Sequence, residues 1–327
     1  VSASGRCSDN VDLNQFIFKA TSQIPKGMVS TYGDIAKALG DVRASRAVGT
    51  VLANNPRPIV VPCHRVVYSD GRTGWYDGKG KGAERKIELL RGEGVRISEG
   101  AVEDFEKRRF ADFKIPRILE NLKKEQEGMR ARVVERDDYG ELRFVAGLDV
   151  SYSLTEAFGS MVIFDLRKMK KVEERTARCE TNFPYIPGYL GYRETPIAKK
   201  LIVGNEDMVY LIDGQGALHP RGFGVACQIG VCLDVPTIGA AKSLLCGTVA
   251  EDEGEKARVL VDGGVRGYEL RKRHRKKVYV SVGNRISLGT ATDLCSQLMV
   301  NGVPEPQRQA HILATSERKK HCAGDTE

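Results

Sequence analysis

The 327-residue chain carries 51 basic against 43 acidic residues, a formal net charge of +8, and is 41% apolar. That apolar content can build real cores and excludes intrinsic disorder as the main state, while the length exceeds what one modest domain needs, so two domains are expected. The basic balance permits a polyanionic partner without requiring one. No apolar run approaches the roughly 18 residues of a membrane-spanning helix and no secretory leader opens the sequence, so a cytoplasmic protein with no membrane partner is expected. The eight cysteines are scattered, with no CxxC and no paired framework. That usage argues against a zinc cluster and for a reducing compartment.

In chain order, Val1 to Cys7 reads as a small-residue tail. Leu13, Phe16, Ile17 and Ala20 fall at helical spacing and stop at Ile24-Pro25-Lys26-Gly27. Thr31 caps a second helix running to Leu39 and ended by Gly40; a third, capped near Asp41, runs to about Ala53 and carries Arg43 and Arg46. The pair has the form of a helix-turn-helix. Ile59-Val60-Val61 reads as a short buried strand feeding into Pro62-Cys63-His64-Arg65. A polar, Gly-rich stretch from Ser69 to Gly82 precedes a helix over about Ala83 to Arg91, closed by Gly92-Glu93-Gly94.

The charged stretch near Glu99 marks a boundary, giving domains at 8–98 and 105–327 with a linker at 99–104. Phe105 to Glu135 reads as mostly helix, its main stretch opened by Pro116. From Leu142 onward strands are expected at Phe144–Val150, Met161–Phe164, near Thr176, at Val209–Asp213 and at Val235–Ile238. The last two have the apolar run and helical flanks of buried parallel strands. The basic run Arg271 to Lys277 is a solvated turn or a phosphate contact.

Two patterns carry chemistry. A cysteine beside a histidine, in a turn fixed by proline, presents a thiol and a base to deprotonate it. Most free cysteines are simply buried hydrophobes, so the pair alone would not be decisive. Further on, Asp149 and Asp213 stand at strand ends and Glu194 lies in Tyr192-Arg193-Glu194. Carboxylates converging at one sheet edge suit a hard divalent cation, although 43 acidic residues offer many such triplets by chance.

The flanking residues decide both. Asn55 to Val67, with Ser30 to Ala36, Ser45 to Gly49, Gly74-Trp75-Tyr76 and Glu88 to Gly94, resembles the catalytic domain of O6-alkylguanine-DNA alkyltransferases over about residues 12 to 98. The resemblance implies that Cys63 attacks the alkyl carbon, with His64 as a water-linked base, Glu93 orienting it and Asn55 holding the turn. Tyr32 would donate a proton or press on the neighbouring phosphate. Tyr76 would line the substrate pocket, and Arg46 would fill the gap left by the flipped base. No cofactor is implied in this half, and the thioether formed makes it a single-use acceptor. Trp75 and Asp77 depart from the smaller or uncharged residues often found in that loop.

Pro184 to Gly188, Tyr192-Arg193-Glu194, Asp213 to Gly224, Pro236 to Ser243 and Pro304 to His311 together resemble endonuclease V over roughly residues 105 to 318. The implied architecture is an α/β chain of two domains: an alkyltransferase catalytic domain with a helix-turn-helix, then a ribonuclease-H-like mixed sheet flanked by helices. The implied metal ligands are Asp149, Glu194 and Asp213, holding Mg²⁺ with Mn²⁺ as a substitute. His311 would stand beside the metal, with Lys242 and His219 neutralising the scissile phosphate or leaving oxygen. Pro184, Tyr185, Ile186 and Pro187 would form a strand-separating wedge, and Gly188, Gly214 and Gly224 would let backbone approach the flipped base. The implied substrate is DNA with deaminated adenine, cut on the 3′ side of the lesion, with uracil and xanthine as further candidates. Damaged double-stranded DNA is the expected partner, single-stranded DNA a further one, and the protein is expected to be monomeric. The competing reading is a non-catalytic alkyl-lesion sensor fused to an inosine-specific DNA or RNA nuclease.

Overall fold

The computed structural model of the chain describes residues 7–8, 10–76, 82–204, 206–251, 254–271 and 277–322. The chain forms two compact units. One comprises Val11–Lys124 with Asn182–Pro187, and the other Val1–Asn10, Glu125–Thr181 and Gly188–Glu327.

In the first unit, α1 (Leu13–Thr21) is capped by the Asp12 carboxylate and buries Leu13, Ile17 and Ala20 on one stripe. β1 (Ser30–Thr31) runs into α2 (Tyr32–Leu39), where Thr31 Oγ1 accepts from the Asp34 amide and Gly40 ends the helix at φ 105°. Asp41 caps a tight turn over Val42–Ala44 that leads into α3 (Ser45–Ala53). β2 (Val66–Val67) pairs in parallel with β1, so the chain leaving Cys63-His64-Arg65 lies beside the chain entering Tyr32. α4 (Ala83–Gly92) follows, then a small hairpin of β3 (Ile97–Ser98) and β4 (Ala101–Val102), then the single turn α5 (Phe105–Arg108). α6 spans Ile118–Arg130, its residues from Glu125 onward belonging to the second unit.

One sequence expectation fails here. Ile59-Val60-Val61 is not a buried strand: it is a turn in which Ile59 has φ 76° and both Ile59 and Val60 are exposed. Pro58 and Pro62 bracket the run and remove the ladder donors a strand needs. Phe105 to Glu135 is mostly helix, as expected: α5 and α6 together cover more than half of it, and α6 opens just after Pro116. Between α5 and α6 the chain is non-helical, and α6 ends at Arg130.

The second unit is built on nine strands among the described residues, in the order β10-β11-β12-β13-β9-β8-β5-β6-β7. These are β5 (Phe144–Tyr152), β6 (Glu156–Asp165), β7 (Lys170–Glu180), β8 (Met208–Ile212), β9 (Thr237–Ala241), β10 (Thr248–Val249), β11 (Lys256–Val261), β12 (Gly264–Leu270) and β13 (Val278–Asn284). β8 runs parallel to β5 and β9, and the remaining pairs are antiparallel, which makes the sheet mixed. Alternation along β5 and β8 sends Val145, Val209 and Leu211 to a core shared with α9 (Leu288–Gln297). Ala146, Leu148, Tyr210 and Ile212 go to a second core shared with α7 (Leu190–Leu201) and α8 (Val225–Leu233). A short hairpin, β14 (Met299–Val300) and β15 (Val303–Pro304), leads into α10 (Glu305–Cys322).

The cysteines also depart from expectation: Cys7 is disulfide-bonded to Cys232, at a sequence separation of 225. Cys7 is thus tied into the second unit, while Val1 to Arg6 lie outside the described residues. No helix among the described residues is long and apolar enough to cross a membrane. Arg271 and Lys277 both pair with the buried Glu269, and the residues between them, 272–276, lie outside the described set, as does Asp77.

Two candidate active sites

Cys63 opens a tight turn, Cys63–Arg65, between Pro62 and β2. Asn55 holds it from the other side, its Nδ2 donating to the Val61 carbonyl at 2.9 Å and to Cys63 Sγ at 3.2 Å. His64 is buried, with Nε2 3.1 Å from Glu93 Oε1, and Nδ1 has no hydrogen-bond partner. A carboxylate facing Nε2 places the proton there and leaves the Nδ1 lone pair free. Burial pushes the imidazole below its ordinary pKa and Glu93 only partly offsets this, so His64 is neutral at pH 7.

Cys63, Tyr32, Arg46, Trp75 and Tyr76 line a cavity of about 850 Å³, a volume suited to an extruded base. Burial, then Tyr68 and Cys63, push the Tyr32 hydroxyl up to about 12, so it stays protonated as a donor. Arg46 projects from α3, exposed.

Lys86 in the same cavity was not read from the sequence. It is buried, its Nζ donates to the Val66 carbonyl at 2.6 Å, and it lies 6.0 Å from the Tyr32 ring centroid. Burial pulls its ammonium down to about 8 against the pull of Cys63. The available signal was its place one helical turn before the fully buried Leu90, on the apolar face of α4.

In the second unit, α10 reaches β5 because Gly147 has no side chain: a Cβ there would sit 2.2 Å from the Pro306 carbonyl carbon. Ser160 Oγ donates to the Ala310 carbonyl at 2.6 Å and fixes the next turn. His311 Nδ1 consequently lies 3.0 Å from Asp149 Oδ2. Asp149, Asp213 and His311 each offer a donor atom within 4.8 Å of the others. Lys242 Nζ donates to Asp213 Oδ2 at 2.5 Å.

Glu194, an expected metal ligand, stands outside that tight group, and His311 stands within it. The Glu194 carboxylate is nonetheless close enough to interact: burial first, then the charges of Asp149 and Asp213, push its pKa well above the usual range. Burial and Asp213 likewise push Asp149 up to about 6, with His311 opposing. Crowded, desolvated carboxylates of this kind are what a divalent cation relieves, and two carboxylates with an imidazole form a suitable donor set.

The other predicted residues fall as follows. His219 is buried, and its Nδ1 accepts the Arg221 amide at 3.2 Å. Tyr185 and Pro187 are exposed and Pro184 is half-buried, but Ile186 has no exposed surface, so it anchors its segment and presents nothing to a ligand. Gly188, Gly214 and Gly224 are each closely packed. A Cβ would meet the Arg221 guanidinium at 2.7 Å, Val225 Cγ1 at 2.4 Å and the Gln215 carbonyl oxygen at 2.1 Å respectively. Those glycines let the loops around Asp213 close on one another.

A thiol-bearing cavity on a helix-turn-helix unit and a carboxylate site at the end of a mixed sheet define a two-centre enzyme acting on nucleic acid. The pattern of the endonuclease V family matches residues 127–312, and that of the 6-O-methylguanine DNA methyltransferase DNA-binding domain matches residues 12–95. A bifunctional methyltransferase/endonuclease of Picrophilus torridus is 38% identical over 312 residues, covering 95% of this chain and 99% of that protein. The catalytic domain of human endonuclease V superposes with a TM-score of 0.58 at 32% identity, covering 64% of this chain and 99% of that one. Ciona intestinalis endonuclease V, solved with a 24mer DNA containing an inosine followed by a ribo-adenosine, gives 0.56 at 27% identity, with coverages of 62% and 98%. The chain belongs to the endonuclease V family and, across both units, to the bifunctional methyltransferase/endonucleases of DNA repair.

Proposed function

We propose that the first unit transfers the alkyl group of O6-alkylguanine in DNA to Cys63, and that the second nicks DNA on the 3′ side of deaminated bases, hypoxanthine foremost. The observation that carries the first half is the placement of Cys63, Tyr32 and Arg46 around one cavity large enough to admit an extruded base. The Cys63 thiol gives its proton through an intervening water to His64 Nδ1, while Glu93 holds the other face of the ring. Sγ then bonds to the alkyl carbon as the carbon–O6 bond breaks. The electron pair left on guanine takes a proton from Tyr32, so neutral guanine departs. Arg46, exposed on α3, occupies the space of the extruded nucleotide. The thioether has no leaving route, so each molecule acts once.

In the second unit, Asp149 and Asp213 would hold a divalent cation with His311 and Glu194 completing its surroundings, Mg²⁺ or Mn²⁺ being the ions suited to them. Such an ion supplies polarisation of the phosphate and a lowered pKa for water. Lys242, already on Asp213, offers positive charge to the phosphate or leaving oxygen, and His219 offers a proton-bearing ring on the same loop as Asp213. In the Asn182–Pro187 segment of the first unit, Tyr185 and Pro187, exposed on either side of the buried Ile186, are the side chains able to insert at a lesion. The Ciona relative's inosine-containing DNA supports the choice of base. Matched duplexes with hypoxanthine in deoxyribose or ribose strands test the sugar: faster nicking of the ribose series would replace the DNA reading with an RNA one.

A further inference from the structure

The chain beyond the alkyltransferase-matched span folds back onto the strand that precedes Tyr32. The Val29 amide donates to the Arg108 carbonyl at 2.9 Å and the Phe110 amide to the Val29 carbonyl at 2.7 Å. Residues 108–110 thereby extend the β1–β2 pair on the β1 side, in parallel register at Val29 and Arg109. The Arg109 side chain continues the clasp with Nη2 2.7 Å from Asp34 Oδ1 and Nε 2.9 Å from Asp34 Oδ2. Asp34 is buried and also receives the Thr31 hydroxyl at 2.7 Å, while its amide donates back to Thr31 Oγ1 at 2.9 Å. Farther along, the Lys114 amide donates to Gln23 Oε1 at 2.7 Å, and Arg108 Nη1 reaches the Gly27 carbonyl at 2.9 Å.

Tyr32 sits inside this clamp, one residue after Thr31 and two before Asp34. A lone surface ion pair would contribute little. A two-pronged guanidinium on a buried carboxylate is different, because it fixes direction as well as charge. The matched family span ends at residue 95, so Arg109 is supplied by chain the alkyltransferase pattern does not include.

We propose that Arg109 is a positioning residue for alkyl transfer, acting through Asp34 to set the first turn of α2 and hence the Tyr32 hydroxyl over the reacting base. This rests on the transfer reading above. The first turn of a nine-or-fewer-residue helix frays easily unless its end is tied, and a proton donor displaced by a fraction of an ångström loses most of its effect.

The test uses the full chain: wild type, Arg109→Ala, Arg109→Lys, Tyr32→Phe and the Arg109→Ala/Tyr32→Phe pair, each in single-turnover transfer from an O6-methylguanine duplex over a range of DNA concentrations. Arg109→Ala should lower the saturating rate about tenfold with the half-saturating DNA concentration little changed, and Arg109→Lys should recover part of it. In the Tyr32→Phe background Arg109→Ala should cost less than about twofold more. Unchanged transfer in Arg109→Ala, or the same loss with and without Tyr32, overturns the proposal. No transfer by wild type would instead remove the transfer reading itself and this one with it.

Discussion

His64 Nε2 lies 3.1 Å from a Glu93 carboxylate that Arg65 grips with two hydrogen bonds, at 2.7 and 2.8 Å. One acid therefore both orients the imidazole and anchors the turn carrying Cys63. Burial works against its ionisation, but Arg65 and His64 outweigh this and hold the carboxyl down at about 2. The folded state then binds fewer protons than the unfolded one between the ordinary glutamate range and about 2, so this part of the stability is present near neutrality and is lost as pH falls through that window. Glu93→Gln should lower stability near pH 7 by about 2 kcal/mol and flatten the loss between pH 4.5 and 2, checked by urea unfolding across that range.

The same substitution should move the acid limb of alkyl transfer. His64 already titrates below its ordinary value because it is buried, and Glu93 is what holds it up. Removing that negative charge should shift the acid limb of the rate–pH profile to lower pH while lowering the plateau, in a single-turnover series. A shift to higher pH would mean that another group controls the limb.

Lys86 gives an alkaline counterpart. Its pKa near 8 when folded lies below the ordinary lysine value of 10.5, so between those limits the unfolded chain holds the extra proton and stability rises with pH. The cost of burying the cation is present below about 8 and relieved above 10.5. The difference in unfolding free energy between wild type and Lys86→Met should therefore change by on the order of 2–3 kcal/mol across this window. A constant difference would show that Lys86 is no harder to charge than a surface lysine.

Much of this was legible beforehand, and the parts that were not share a cause. The Thr31 cap, the Gly40 stop, the Cys63 turn and the strand end at Asp213 rest on local chemistry, which sequence records directly; Asp149 lies inside β5. Lys86, the Ile59 turn, the extended piece after α5 and the Cys7–Cys232 bond depend on what lies opposite in space. Charged residues at helical spacing from Phe105 onward gave no hint that the backbone at 108–110 would be committed to Val29. His311 joins Asp149 and Asp213 because the close approach of α10 at Gly147 is a tertiary event, while Glu194 acts on both carboxylates from just outside that tight group.

Gly224 tests the loop packing around Asp213. A Cβ at that position would lie 2.1 Å from the Gln215 carbonyl oxygen, which is backbone and cannot swing away. Gly224→Ala should cost about 1–3 kcal/mol in stability and reduce nicking, while alkyl transfer by the same preparation is unaffected. Equal melting temperatures for variant and wild type would show that the loop has room to spare.

Cation binding separates the two sites without any turnover. Mg²⁺ or Mn²⁺ should raise the melting temperature of wild type, and Asp149→Ala should abolish most of that rise. Cys63→Ala should leave it intact.

The central claim is two independent reaction centres in one chain, and the most direct test is a parallel assay of wild type, Cys63→Ala and Asp149→Ala. Each would be given duplexes bearing O6-methylguanine or hypoxanthine, with and without Mg²⁺. The account predicts that Cys63→Ala loses only alkyl transfer and Asp149→Ala loses only cation-dependent nicking. A wild type that nicks hypoxanthine DNA but accepts no alkyl group would contradict it, and would make the first unit a recognition module.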